Sequence, residues 1–155
     1  MPRSVGVMID NLGPSQLAFY TIHQLNLYSK ASADVDYCVF INNICQPIID
    51  TNFSVMNMSE SMSFGGDLIA PTFELADKLI NLVNQSNKHF HVWELEWIKN
   101  PYLYEKYVGI LRNKELKLST RSIFYANAIE KYSGVKITNF TPNFNIKKII
   151  SNGTI

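Results

Sequence analysis

The chain has 155 residues, 46% hydrophobic and 17% charged, with a formal net charge of +1, the composition of one globular domain with a buried core. No long run of one sign occurs, which excludes a protein that lives on a phosphate backbone, because phosphate contacts need clustered Lys and Arg. The start, Met1–Asp10, is too short for a signal peptide or a membrane span, so a cytoplasmic chain with no span is expected.

Val5–Ile9 is a continuous apolar run and reads as a strand covered on both faces. Asn11-Leu12-Gly13-Pro14 is turn chemistry, and Ser15 is placed to cap a helix over Gln16–Lys30. Leu17, Phe19/Tyr20, Ile22, Leu25 and Leu27/Tyr28 recur there at three- and four-residue steps. Val35–Ile41 is the second strand, and strand–helix–strand over so short a stretch predicts a right-handed crossover and parallel pairing. Between Ile48 and Phe64 the pattern is weaker; Ile48-Ile49 and Phe53–Met58 are candidate short strands in a mobile, Ser/Met-rich region, and Gly65-Gly66 is a turn. Asp67–Ala70 is a strand, and Pro71-Thr72 opens a helix striped by Leu75, Leu79, Leu82 and Val83. Phe90–Trp97 is the next strand, and Pro101 starts a helix running to about Asn113. Leu116–Thr120 is a strand, Ser122–Tyr132 a helix closed by Gly134, Val135–Asn139 a final strand and Phe144–Ile150 a short helix. The sum is a single α/β domain over residues 1–155, three-layered, with a mostly parallel sheet.

In open parallel sheets ligands sit beyond the carboxyl ends of the strands. That rule selects Asp10, Asn11, Gly13, Asn42, Thr72, Glu94, Glu96, Thr120 and Ser122. The loop Asp10–Ser15 lacks both GxGxxG and GxxxxGK[ST], so it is either a small-ligand loop or a structural turn rather than a dinucleotide cradle. In His89–Trp97, strand alternation puts His89, His91, Trp93, Leu95 and Trp97 on one face and both acids on the other. The two histidines lack a third ligand on their face, so no metal is expected, and partly exposed histidines at a strand entrance account for them. Glu94 and Glu96 are candidate catalytic carboxylates, as a general base or a hydroxyl-binding pair; the alternative is a solvated strand end. Arg121, beside the helix start at Ser122, is a candidate anion contact or a surface charge. Cys38 and Cys45, the only cysteines, have no CxxC spacing and read as reduced thiols. No nucleophile motif and no cofactor motif is present. The bias toward Asn, Ile, Lys, Tyr and Phe suits an AT-rich genome, such as that of a phage or a small bacterium.

Taken in order, these pieces resemble the amino-terminal, acceptor-side domain of GT-B glycosyltransferases. Val5–Ile9, Asn11–Ser15 and Gln16–Lys30 are similar to that family's opening strand, small-residue loop and helix. Asp67–Thr72 resembles its strand that runs into a small or polar residue, and Val92–Trp97 its "v-Q-D-x-E" segment. Leu118–Ser122 with Tyr132-Ser133-Gly134 resembles its strand-then-Ser element and Tyr-x-Gly helix end, and Thr141–Asn145 its "P-N-G-x-D" link, with Phe144 where glycine is usual. The resemblance implies a Rossmann-like fold and a sugar-acceptor crevice lined by Asn11, Gly13, Glu94 and Glu96. The chain ends where that family's donor domain, with its E-x7-E motif, would begin. Sugar transfer would then need a partner for the donor, with a glycan or nucleotide-sugar as ligand. The alternative is a non-catalytic interaction or scaffold domain, partnered by another protein or by a second copy. Aromatics around Trp97, Tyr102, Tyr104 and Tyr107 would supply that surface or else the core.

Overall fold

In the computed structural model, which describes residues 3–151, the chain is α/β, with one six-stranded, all-parallel sheet flanked by helices. The strands are β1 (Arg3–Ile9), β2 (Val35–Ile41), β3 (Ser54–Asn57), β4 (Asp67–Ala70), β5 (Asn87–Val92) and β6 (Leu116–Thr120). The helices are α1 (Gln16–Ala31), α2 (Phe73–Ile80), α3 (Tyr104–Leu111), α4 (Ile123–Ser133) and α5 (Ile146–Ser151). The sheet order β3-β2-β1-β4-β5-β6 is that of dinucleotide-binding folds, with the direction of winding reversing between β1 and β4. Met1 and Pro2, on which part of the leader reading rests, lie outside the described residues. By contact density the chain divides into two compact units, residues 3–69 with 82–87 and residues 70–81 with 88–151 as described.

In the first unit, β1 pairs with β2 in the register Ile9↔Ile41 and with β4 in the register Val7↔Ile69. Val5, Val7 and Val39 are fully buried, as an interior strand covered on both faces requires. Ser15 caps α1 by accepting Ala18 N–H at 3.0 Å, and Ile22 and Leu25 bury completely. The uncertain stretch resolves into β3 and a 3-10 turn, Met58–Ser63, held by a reciprocal Asn57/Glu60 capping box; Ile48-Ile49 is not a strand.

In the second unit, Phe73 is fully buried at the start of α2, stacked on Tyr107 at 4.4 Å and edge-on to Phe90 at 4.9 Å. α2 stops at Ile80, one turn short of the expected stripe, so Val83 stands fully exposed outside it. β5 also stops early, at Val92. The chain then turns through a 3-10 segment, Glu96–Ile98, which brings Trp97 against Phe73 at 5.8 Å and Tyr104 at 6.3 Å. The expected alternation through Trp97 is therefore broken after Val92, and His89 and His91 are wholly buried rather than partly exposed. α4 is capped by Ser122 and closed by Gly134 at φ 74, the left-handed position that glycine takes without a Cβ clash. Residues 135–139 do not form a strand: Ile137 is buried, and the Asn139 carbonyl accepts Thr120 N–H at 3.0 Å beside the isolated bridge Thr120↔Phe140, without a ladder. Asn143 and Phe144 both have positive φ, 57 and 55, and the Phe144 ring is fully buried edge-on to His91 and Trp93.

Candidate functional site

Because β1 and β2 are parallel and end level, the residues that leave them, Asp10 and Asn42, emerge side by side. The Asp10 carbonyl accepts the N–H groups of Asn42 at 3.1 Å and Asn43 at 3.0 Å, which clasps the two loops by their main chains. The Asn42 side-chain amide donates to Asp10 Oδ1 at 2.7 Å, fixing the exposed carboxylate. Asn11 Oδ1 accepts Gly13 N–H at 3.0 Å in an Asx turn and faces the Cys45 thiol at 3.7 Å. A Cβ at Gly13 would lie 3.1 Å from both Asn11 Oδ1 and Cys45 Sγ, so a larger residue would press those two side chains back by a few tenths of an ångström. Leu12 is buried, and its carbonyl accepts Ile48 N–H at 2.9 Å, tying down the far end of the second loop. Ile44, 92% exposed, adds an apolar surface to that loop.

The result is a preset group of one carboxylate and several amides at the end of the strand where the sheet order reverses. A carboxylate accepts hydrogen bonds and an amide both donates and accepts, which matches hydroxyl groups. A phosphate would meet the Asp10 charge. Of the expected residues, this cluster unites Asp10, Asn11, Gly13 and Asn42. Asn43, Ile44 and Cys45 were not singled out for it, although the parallel ends of the first two strands were the signal for that second loop.

The other candidates belong to the second unit and are largely engaged in holding it. Glu96 Oε1 accepts Phe73 N–H at 3.0 Å, and Thr72 Oγ1 accepts Leu75 N–H at 3.3 Å, so both acceptors cap α2. Burial, first of all, raises the Glu96 carboxyl above its ordinary value, against the Phe73 hydrogen bond; the charges of Glu94 and Glu74 add to the rise and Lys99 opposes it. Glu94 pairs with Lys99 at 2.8 Å on the surface. Thr120 is fully buried, with its hydroxyl donating to the Val92 carbonyl at 3.2 Å. Ser122 Oγ accepts Tyr125 N–H at 3.3 Å as the α4 cap. Arg121 donates to the Trp93 carbonyl at 3.4 Å and lays its guanidinium 4.4 Å above the Trp93 ring, with Tyr125 at 5.6 Å.

His91 Nδ1 lies 2.8 Å from Ser119 Oγ, and burial, reinforced by Arg121, pushes the imidazole down to about 3. It is therefore neutral at physiological pH. No group of three or more His, Cys, Asp or Glu side chains suited to a metal occurs among the described residues. No helix among them is long and apolar enough to cross a membrane. Comparisons with protein-family models, with curated proteins and with solved structures returned no match.

Proposed function

We propose that the chain binds a hydroxyl-rich small ligand of the sugar class at the carboxyl end of β1. In this reading it acts as the acceptor side of a glycosyl-transfer system in the cytoplasm, with the nucleotide-sugar donor held by a partner polypeptide. The observation that carries the reading is the exposed Asp10 carboxylate, fixed by Asn42 at 2.7 Å, on the strand where the winding reverses. Asp10 accepts from a ligand hydroxyl, Asn11 and Asn43 supply amides, and Ile44 lies under a C–H face of the sugar. Glu96, as a helix cap, supports the fold rather than the chemistry.

The test is a thermal-shift screen with simple glycans, nucleotide-sugars and free nucleotides. A glycan at a hundred times its dissociation constant stabilises by about 2.7 kcal/mol. Asp10→Ala removes a charge-assisted hydrogen bond of about 1.5–3 kcal/mol, so binding weakens by roughly 10- to 100-fold. A glycan shift that Asp10→Ala leaves unchanged, or no shift with any glycan, overturns the reading. One feature favours a second reading as an interaction module: Ile123, Phe124 and Tyr132 on α4 are 53%, 79% and 57% exposed. The aromatic set first considered for such a surface is mostly core, because Trp97 and Tyr107 are buried and only Tyr102 stands well out.

A further inference from the structure

A second recess lies at the other end of the same strands. A cleft of about 440 Å³ is bounded by the last turn of α1, the start of β2 and the segment entering β3. Ser29, Ser32, Asp36, Thr51, Asn52 and Ser54 line it. Its far wall is fixed to α1 by Asn26, whose amide donates to the Asp50 carbonyl at 2.8 Å while its oxygen accepts Asn52 N–H at 2.8 Å. The Ser29 hydroxyl is buried and has no hydrogen-bond partner among the described residues.

Two features set the charge of this place. The last carbonyls of a helix point outward with partial negative charge, and of the final turn of α1 only the Tyr28 carbonyl is taken by the capping Ser32 N–H. Asp36 adds a full, exposed charge. Lys30, exposed in the last turn, offsets part of this field. An anion would face Asp36 and the helix carbonyls, and an apolar ligand would strand the hydroxyls that line the cleft. The volume far exceeds that of a bare ion, since one water occupies roughly 30 Å³.

We infer that this cleft takes a small organic cation carrying N–H donors, a primary amine, with Asp36 as counter-ion and the hydroxyls of Ser29, Ser32 and Thr51 as acceptors. The site is separate from the one at Asp10, and its test separates the two. Amide resonances of the full chain are followed by NMR as spermidine is added at constant ionic strength, with choline as a cation that lacks N–H donors. The expected result is saturable change confined to residues 29–37 and 51–54, weakened at least tenfold by Asp36→Asn and severalfold by Ser29→Ala. Asp10→Asn leaves it unchanged. No change in those residues on the unaltered chain overturns the inference. So does an equal response to choline, or equal spermidine affinity in Asp36→Asn.

Discussion

Glu96 is where a catalytic and a structural role give opposite expectations. Its Oε1 accepts Phe73 N–H at 3.0 Å, and Phe73 is wholly buried. Glu96→Ala leaves a buried donor unpaired, which costs about 1–3 kcal/mol. The expected loss is about 2 kcal/mol, a fall in Tm of roughly 4–8 °C for a chain of this size. Glu96→Gln keeps an oxygen for Phe73 and removes the charge.

The pH dependence then separates the variants. Burial raises the Glu96 carboxyl, so the folded state holds its proton more tightly than the unfolded state. Stability therefore falls as pH rises through the window that opens at the ordinary glutamate value of about 4.3. Gln has no such loss, so Glu96→Gln is at least as stable as the native chain at neutral pH, and its profile is flatter across that window. Urea unfolding followed by far-UV circular dichroism, from about pH 4 to pH 7, gives all three curves. Equal destabilisation of the Ala and Gln variants refutes the cap argument. Unchanged stability with loss of glycan binding in both would return Glu96 to the ligand.

Two further predictions concern the same unit. Phe144 is fully buried at φ 55, a region that costs a non-glycine residue about 1–2 kcal/mol. Phe144→Ala should cost about 3–5 kcal/mol through the cavity, and Phe144→Gly about 1 kcal/mol less, the reverse of the usual Ala–Gly order. Denaturant midpoints at equal m decide it, and an alanine variant as stable as the glycine variant removes the strain. His91 is held at about 3 against roughly 6.5 in the unfolded chain, so between those values the unfolded state binds more protons. Stability is lost as pH falls through that window, with a slope approaching 1.4 kcal/mol per pH unit for the one proton. His91→Gln should flatten that acid limb, and an unchanged limb would mean that other groups govern it.

Local sequence determined the elements whose signals are complete within a few residues. Ser15, Thr72 and Ser122 announced three helix starts, and Gly134 one helix end, because a cap is a contact with the adjoining turn. The continuous apolar run Val5–Ile9 announced a strand covered on both faces. From the predicted strands and the carboxyl-end rule, Asp10, Asn11, Gly13 and Asn42 could be named. Only the tertiary structure decided what depends on partners distant in the chain. Val135–Asn139 has a strand's alternation, yet it forms no ladder and touches β6 through the Asn139 carbonyl on Thr120 N–H, since a ladder requires a neighbouring edge that local pattern does not specify. β5 ends at Val92 because Trp97 buries against Phe73 and Glu96 reaches the Phe73 amide, 23 residues away. The same turn made a candidate acid into a cap, while the Phe144 ring, 53 residues on, covers His91 edge-on. A side chain's chemistry is fixed by its type, but its role follows from which groups folding leaves it to face.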